Sequence, residues 1–338
     1  MLAIRQYAFG PAGNLLPEQV PDPVPGAGEV RIAVEAAGVH LIDTAIRSGA
    51  QGGPFPLPRL PMTPGREVAG TVDALGEGTD PDLLGRRVVA HLGQASGGYA
   101  ELAVAPAAAL HTVPDGLTAE QAVAMIGTGR TAMGVLETAA PTAADTVLIT
   151  GAAGGLGTLL VQAAHRRGAT VAGVAGGAAK ADAVLTNGAD AAADHTVPGW
   201  PERLRKELGG REVTLVLAGT GGEVARAAFE LLARGGRQFV YGWMPDDPLY
   251  PTPGELAERG VTSEAAVGPR LLNRPGGLRP LETAALEAAA AGHLVPALQP
   301  FPLAGAAAAH RALENRATLG KIVLVPDTGR AGRRPRAD

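Results

Sequence analysis

Apolar and polar residues follow two different periodic patterns along the chain. In residues 1–110, short runs alternate apolar and polar positions, clearly at 30–36 and more loosely at 67–74. This alternation predicts strands with one buried face. Clusters of Pro and Gly at 21–28 and 52–65 predict loops, and the second cluster is long enough to border an active site.

From about residue 118, strand-like runs alternate with helix-like runs, which predicts parallel βαβ units. The pattern becomes mixed after about residue 260. In chain order, strands are predicted at 147–150, 169–174, 213–218, 236–241 and 321–325. Helices are predicted after the glycine-rich segment to about residue 167 and at 179–187, 223–233, 280–291 and 303–315.

A glycine-rich segment, Thr-Gly-Ala-Ala-Gly-Gly-Leu-Gly at 150–157, lies between a predicted strand and a predicted helix. Backbone N–H groups at such a helix start can hold a pyrophosphate, and glycines let the backbone approach it. The first glycine of the common G-x-G-x-x-G pattern is Ala152 here. A plain tight turn is the alternative, but the order strand, loop, helix favours nucleotide binding.

The segment after the next strand bears on which dinucleotide binds. NAD sites usually carry an acidic residue about 20 residues after the loop. From residue 173 onward the first acidic residue is Asp182, and Lys180 comes before it. An acid would repel a 2′-phosphate, whereas a lysine accommodates it, so this segment favours NADPH. A solvated helix lysine is the alternative reading of Lys180.

Residues 40–49 form a second candidate site. Asp43 and Arg47 are four residues apart and share one face if the segment is helical, and His40 precedes them. Spacing alone favours an ordinary Asp43–Arg47 helix ion pair and a simple buried imidazole at His40.

Composition narrows the classes of protein. The 338 residues suggest two domains, and a net charge of −4 gives no sign of a nucleic-acid or membrane partner. The chain has no cysteine, which excludes disulfides, thiolate zinc sites and cysteine nucleophiles. We find neither a signal-peptide pattern nor an apolar run of ~18 residues. We therefore expect a cytoplasmic protein with a small-molecule substrate.

The chain resembles the zinc-independent quinone oxidoreductases of the medium-chain dehydrogenase/reductase superfamily, the zeta-crystallin-like group. Four segments carry the resemblance. They are His-Leu-Ile-Asp-Thr-Ala-Ile-Arg-Ser-Gly at 40–49, Met-Thr-Pro-Gly-Arg-Glu-Val-Ala-Gly at 62–70, Ala-Ala-Gly-Gly-Leu-Gly at 152–157, and Leu-Glu-Asn-Arg-Ala-Thr-Leu-Gly-Lys-Ile-Val-Leu at 313–324.

The resemblance implies an α/β protein with a GroES-like β-rich catalytic domain and a Rossmann domain with a doubly wound parallel sheet. It implies a discontinuous catalytic domain at 1–118 and 260–326 around a cofactor domain at 119–259, and we expect a flexible tail at 327–338. The cofactor, NADPH, is expected in the cleft between the two domains.

Residue by residue, the resemblance implies cofactor contacts and catalytic groups. His195 stands where the family usually has Tyr, and His40 where a family segment usually begins with Asn. The expected catalytic residues are His40, Asp43 and Thr128, with His40 as a candidate proton donor. The expected cofactor-binding residues are Leu41, Ile42, Asp43, Thr128, Thr131, Gly154, Gly155, Leu156, Gly157, Gly176, Lys180, His195, Tyr241, Gly242 and Arg316.

Three functions remain open at this point. The first is hydride transfer from NADPH to a quinone without zinc. The second is reduction of an activated C=C bond in an enone or enoyl substrate, and the third is a structural or RNA-binding role for an NADPH-binding protein. The resemblance also implies a homodimer, with the strand at 236–241 and the segment 261–268 at a sheet edge.

Overall fold

The computed structural model of the protein describes residues 1–50, 56–242 and 251–327. The chain divides into two compact units. We call Met1–Gly127 with Leu298–Asp338 the terminal unit, and Thr128–Ala297 the central unit. The predicted tail lies outside the described residues, apart from Asp327.

The elements follow the two predicted patterns. The strands are β1 (Leu2–Gln6), β2 (Leu15–Gln19), β3 (Glu29–Val39), β4 (Glu67–Leu75), β5 (Arg87–His91), β6 (Leu102–Pro106), β7 (Leu110–Thr112), β8 (Thr146–Thr150), β9 (Thr170–Ala175), β10 (Ala191–Asp194), β11 (Val213–Ala218), β12 (Leu232–Val240), β13 (Thr262–Ala265), β14 (Leu298–Pro302) and β15 (Lys321–Val325). The helices are α1 (Leu41–Ser48), α2 (Ala119–Ala124), α3 (Arg130–Ala139), α4 (Gly155–Arg166), α5 (Ala178–Thr186), α6 (Trp200–Glu207), α7 (Gly222–Leu231), α8 (Pro253–Arg259), α9 (Pro269–Leu272), α10 (Arg279–Ala290) and α11 (Ala306–Glu314). A π-helical turn, Met125–Gly129, lies between α2 and α3.

The terminal unit is built on a mostly antiparallel sheet in the order β14-β15-β3-β4-β5-β7, with β6 also paired to β3. The alternating residues of β3 explain this layer, because Val30 and Ile32 are fully buried. Ile322 and Leu324 of β15 belong to the same apolar core. The predicted β-rich character of residues 1–110 is therefore confirmed.

The central unit contains a six-stranded parallel sheet in the order β10-β9-β8-β11-β12-β13. Counted from its first strand, this is the order 3-2-1-4-5-6 of the Rossmann fold. The strand order reverses between β8 and β11, and ligands of such sheets bind beyond the carboxyl ends of the strands at this point. The sheet thus places the glycine-rich segment after β8 at the expected ligand position.

The two units divide the chain differently from the predicted domain limits. Residues 260–297 were expected in the catalytic domain. Instead, β13 pairs in parallel with β12, and α10 packs on α3 within the central unit. Conversely, α2 packs on β3 and β4 of the terminal unit. Sequence reasoning also missed β10 and α6, whose short and charged segments lack a strong periodic pattern.

None of the helices in the described ranges combines the length and the apolar character that a membrane crossing requires.

Candidate active site

The loop after β8 has the geometry that its glycines require. Helix α4 begins at Gly155 with Gly154 as its N-cap residue, which has no side chain to cover the first turn. A Cβ at Gly157 would lie 2.3 Å from the carbonyl oxygen of Gly151 and 2.7 Å from Cα of Ala152. A Cβ at Gly154 would lie 3.3 Å from the same Gly151 oxygen. Gly157 therefore closes the loop, and Gly154 leaves its backbone open to a ligand.

The carboxyl ends of β8, β11 and β12 meet beside this loop. The Tyr241 hydroxyl donates to the Thr150 carbonyl oxygen at 2.8 Å, and Thr150 Oγ1 accepts from the Gly219 N–H at 2.9 Å. A Cβ at Gly219 would lie 2.4 Å from the Tyr241 hydroxyl, and a Cβ at Gly242 would lie 2.4 Å from the Gly219 oxygen. Burial raises the pKa of Tyr241, so its hydroxyl remains a donor. The predicted residues Tyr241 and Gly242 thus lie at the switch point.

A second turn follows β9 and contains more of the predicted cofactor residues. A Cβ at Gly176 would lie 3.0 Å from Nε2 of His195, so these two residues are neighbours. Lys180 lies in the first turn of α5, where its N–H donates to the Gly177 carbonyl oxygen at 3.1 Å. The sequence scan missed Asp194, whose carboxylate accepts from the Gly177 N–H at 2.8 Å. Asp194 comes from the neighbouring strand β10, so a scan along the segment could not detect it.

These features of the central unit fit a dinucleotide. The first turn of α4 presents backbone N–H groups and the positive end of a helix dipole to an anion. A Cβ at Gly157 would lie 2.3 Å from the Gly151 oxygen, so only glycine fits there, and the lack of a side chain at Gly154 leaves its backbone open to a pyrophosphate.

The second candidate site, in the terminal unit, is assembled by strand register. Antiparallel pairing sets Ile322 of β15 opposite Val39 of β3, which brings Lys321 beside His40. The pairing of Ala37 in β3 with Val68 in β4 brings Glu67 beside Gly38. His40 is the N-cap residue of α1, immediately after β3. Residues 40, 67 and 321 therefore meet although they are far apart in sequence.

The three side chains converge on one nitrogen of His40. Nε2 of His40 lies 2.6 Å from Oε1 of Glu67 and 2.8 Å from Nζ of Lys321. The Lys321 ammonium also donates to Oε2 of Glu67 at 3.1 Å. The exposed fraction of the side chain is 23% for His40, 0% for Glu67 and 4% for Lys321. His40 is thus the member of this cluster that is accessible from outside.

Glu67 is an enclosed carboxylate. A Cβ at Gly127 would lie 1.5 Å from Oε1, and a Cβ at Gly38 would lie 2.2 Å from Oε2, so two backbones close over the two oxygens. Burial alone would raise the pKa of Glu67, but the charges of His40 and Lys321 outweigh it and hold the pKa well below its usual value. Glu67 is therefore ionised, and the Lys321 ammonium lies within hydrogen-bond distance of it.

Zinc does not fit this cluster. A zinc site needs about four ligands, or three with an open position, and the cluster offers one imidazole and one carboxylate. Its third polar group is an ammonium, which has no lone pair for a metal and lies against both of the other groups. In the described ranges no group of three or more His, Cys, Asp or Glu residues is arranged to hold a metal ion.

Asp43 belongs to an internal network instead of pairing with Arg47. Its carboxylate accepts from the backbone N–H of His40 at 2.8 Å and from the Tyr99 hydroxyl at 3.2 Å, and it lies 3.3 Å from Nε of Arg66. Arg47 pairs with Glu314 and donates to the Gly10 oxygen. The helix ion pair that the spacing of Asp43 and Arg47 favours is therefore wrong, because each of the two residues has other main partners.

Tyr99 extends this network to His310. The Tyr99 hydroxyl lies 3.2 Å from Nε2 of His310, and the two rings meet edge to face. Burial lowers the pKa of His310 to about 4, so this histidine is neutral. Sequence reasoning gave no role to Tyr99 and His310, which belong to segments without a motif, and Lys321 appeared only within the C-terminal segment 313–324. Arg66 and Glu67 appeared only within the segment 62–70 that carries the family resemblance.

The remaining predicted residues are distributed over both units. Leu41 is exposed and Ile42 half-buried at the start of α1. Arg316 follows α11 with a left-handed backbone, at φ 52°. Thr128 is buried in the π-helical turn, and Thr131 is half-buried in α3. The roles of these residues toward a cofactor stay predictions.

Comparison with known proteins gives the same architecture. The model of the alcohol dehydrogenase GroES-like domain matches residues 26–115, and that of the zinc-binding dehydrogenase matches residues 155–267. The quinone oxidoreductase of Sus scrofa is 32% identical over 330 residues, covering 96% of this chain and 98% of that protein. A 2-haloacrylate reductase from Burkholderia sp is 30% identical and covers 96% of this chain and 99% of that protein.

A solved structure supports the fold assignment. The Escherichia coli quinone oxidoreductase, solved in complex with NADPH, superposes with a TM-score of 0.84 at 27% identity, covering 96% of this chain and 100% of that chain. The match extends over both units, as does the similarity to the pig enzyme. The chain therefore belongs to the quinone oxidoreductase family of the medium-chain dehydrogenase/reductase superfamily, a family of oxidoreductases.

Proposed function

We propose that the protein transfers a hydride from NADPH to a quinone or a similar conjugated carbonyl acceptor without zinc. The main observation behind this proposal is the position of the Lys321 ammonium. It lies within hydrogen-bond distance of Nε2 of His40 and Oε2 of Glu67, and a metal ion would need the lone pairs of these two groups. The glycine loop after β8 and the relatives named quinone oxidoreductase support the choice of cofactor and acceptor.

NADPH, when bound, supplies the hydride. The first turn of α4, with Gly154 and Gly157, would hold the pyrophosphate, and Lys180, in the first turn of α5, would pair with a 2′-phosphate. In the absence of a metal no Lewis acid polarises the acceptor carbonyl. The acceptor must therefore already be electron-poor, as quinones and enones are, and the protein contributes mainly alignment.

The reduced oxygen of the acceptor needs a proton, and we assign its delivery to His40. Imidazole is the side chain best suited to exchange protons near neutral pH. His40 is the accessible member of its cluster, whereas Asp43 is buried and engaged with Arg66 and Tyr99. Asp43 then acts by holding the His40 backbone in place.

Reduction of an activated C=C bond is the second candidate function. It is favoured by the similarity to a 2-haloacrylate reductase across nearly the whole chain. The same hydride donor serves both reactions, which differ in the acceptor atoms that receive the hydride and the proton.

The test is NADPH oxidation by the purified protein with three probes: 1,4-naphthoquinone, 2-cyclohexenone and 2-chloroacrylate. We expect the highest kcat/KM with the quinone. A higher kcat/KM with either of the other probes would favour the second function. Tight NADPH binding with turnover of none of the probes would overturn the proposal and support a non-enzymatic role.

We also propose that the protein is a homodimer. β13 forms the edge of the parallel sheet next to β12, as the apolar segment 261–268 predicted, and most of its side chains are exposed. An exposed edge strand can pair with another copy of itself. Light scattering at micromolar concentration should give twice the monomer mass, and a monomer mass would reject the proposal.

A further inference from the structure

The His40–Glu67–Lys321 cluster contains a conflict at a single atom. Nε2 of His40 can either donate or accept one hydrogen bond. Oε1 of Glu67, at 2.6 Å, accepts only, and the Lys321 ammonium, at 2.8 Å, donates only. Both neighbours cannot be satisfied at once. The position of one proton decides which of the two contacts is a hydrogen bond.

The geometry favours Lys321 as the partner in the resting state. Nζ of Lys321 is aligned with Nε2 of His40, while Oε1 of Glu67 makes no hydrogen bond within the described part of the chain. The backbone N–H of Asp43 donates to the carbonyl oxygen of His40 at 3.0 Å. With Lys321 as the donor, a neutral His40 accepts at Nε2 and carries its proton on Nδ1, and in this arrangement Oε1 of Glu67 has no donor.

We propose that Lys321 supplies the proton that His40 delivers, so that the imidazole takes up a proton at Nε2 as it gives one up at Nδ1. This inference rests on the proposed function, since it assigns a source for the proton that His40 donates. Lys321 acts only through His40 and is therefore a positioning residue, not a catalytic one.

The relay is balanced in protons and charge. The Nδ1–H bond of His40 breaks as an O–H bond forms on the reduced acceptor. At the same time an Nζ–H bond of Lys321 breaks and an Nε2–H bond forms. The new Nε2–H faces Oε1 of Glu67 at 2.6 Å, which gives that oxygen a donor. A solvent proton that later binds at Nδ1 reverses the shift and restores the ammonium.

Two features of the surroundings suit this exchange. Burial lowers the pKa of Lys321, although Glu67 and Asp43 act in the opposite direction, so its proton is easier to release than that of an exposed lysine. The backbones of Gly38 and Gly127 close over Glu67, which keeps its carboxylate fixed while the proton moves. The other charged groups near the cluster are Arg66, which lowers the pKa of Lys321, and His91, which lowers that of Glu67.

Lys321→Arg is the sharpest test. Arginine keeps the positive charge beside Glu67 and can donate to Nε2, but it does not give up a proton in proteins. The relay predicts that kcat with 1,4-naphthoquinone falls by about tenfold or more while NADPH binding stays within twofold by fluorescence titration. Lys206→Arg, at an exposed position of α6, is the matched control and should leave both quantities unchanged.

The double variant separates this inference from the proposed function. His40→Ala should lower kcat, and adding Lys321→Arg to it should cause no further loss because both act in one step. Normal kcat in Lys321→Arg, with kcat reduced in His40→Ala, would overturn the relay and leave His40 as the donor. Normal kcat in His40→Ala would overturn both.

A measurement on the resting protein does not depend on turnover. Nitrogen NMR of histidine-labelled protein distinguishes protonated from unprotonated ring nitrogens, and His40→Asn assigns the signal. We expect His40 to be protonated at Nδ1 and unprotonated at Nε2 at neutral pH. A neutral His40 with its proton on Nε2 would overturn the relay.

Discussion

The two candidate sites of this protein are built in opposite ways. In the central unit the ligand position comes from one continuous segment, since Thr150 to Gly157 supplies the strand end, the turn and the helix start. In the terminal unit His40, Glu67 and Lys321 come from three segments that meet only through the pairing of β3 with β4 and β15. A site made by one segment can be seen in the sequence, whereas a site made by sheet register cannot.

The two sites also differ in the kind of atoms that form them. Backbone atoms form the loop at Gly154, and a side chain there acts mainly by occupying space. Charged side chains form the His40 cluster, and each of them is costly to bury without its partner. A substitution in the glycine loop should therefore weaken ligand binding. A substitution in the His40 cluster should lower folding stability or slow proton transfer.

The largest effect is expected at the glycine loop. Gly154→Val should lower NADPH affinity at least a hundredfold, because the side chain would stand where the backbone meets the pyrophosphate. The fold should survive, since a Cβ at this position meets only the Gly151 oxygen at 3.3 Å. Fluorescence titration measures the affinity, and circular dichroism checks the fold.

Gly254→Val is the control for this experiment. Gly254 also lies in the first turn of a helix, α8, and a Cβ there would meet only Thr252 Oγ1 at 3.9 Å. NADPH affinity should stay unchanged in this variant. Retained affinity in Gly154→Val would mean that the loop does not hold the pyrophosphate.

The second-largest effect is expected in the charged cluster of His40, Glu67 and Lys321 in the terminal unit. Lys321→Met leaves Glu67 buried without its cation, and removal of one partner from a buried ion pair typically costs about 3–5 kcal/mol in unfolding free energy. Glu67→Gln combined with Lys321→Met removes both charges and should recover part of this loss. Urea denaturation measures both, with the exposed Lys206→Met as the control. A loss below about 1 kcal/mol would show that the pair is not a main source of stability.

These differences explain how much the sequence could predict. Local periodicity predicts the parallel sheet and the strands β3, β4 and β15, and the glycine pattern predicts the loop after β8. All of these elements are present in the structure. The short strand β10 was missed, and with it Asp194, whose carboxylate faces the turn at Gly177. Lys321 was visible only as part of a C-terminal signature, because its proximity to His40 depends on the register of β15 against β3.

A smaller effect is expected at Lys180. Loss of one charge-assisted contact to the 2′-phosphate should raise the NADPH KM of Lys180→Ala about tenfold, corresponding to ~1.4 kcal/mol. The NADH KM should change little, because NADH has no phosphate at this position. Steady-state kinetics with both cofactors measure the two values, and Arg203→Ala on the exposed side of α6 serves as the control. Equal increases in both KM values would show that Lys180 does not discriminate between the cofactors.

No effect at all is expected from removal of metal ions. His40 and Glu67 are the two groups that a zinc ion would need first, and the Lys321 ammonium already lies within hydrogen-bond distance of both. A zinc ion there would have to displace a buried cation from a buried carboxylate, with one imidazole as its other protein ligand. Chelator treatment should leave kcat unchanged, and elemental analysis should find no stoichiometric zinc. Activity that is lost in chelator and restored by zinc would show that Lys321 leaves this position in solution, and it would overturn the zinc-free mechanism and the proton relay together.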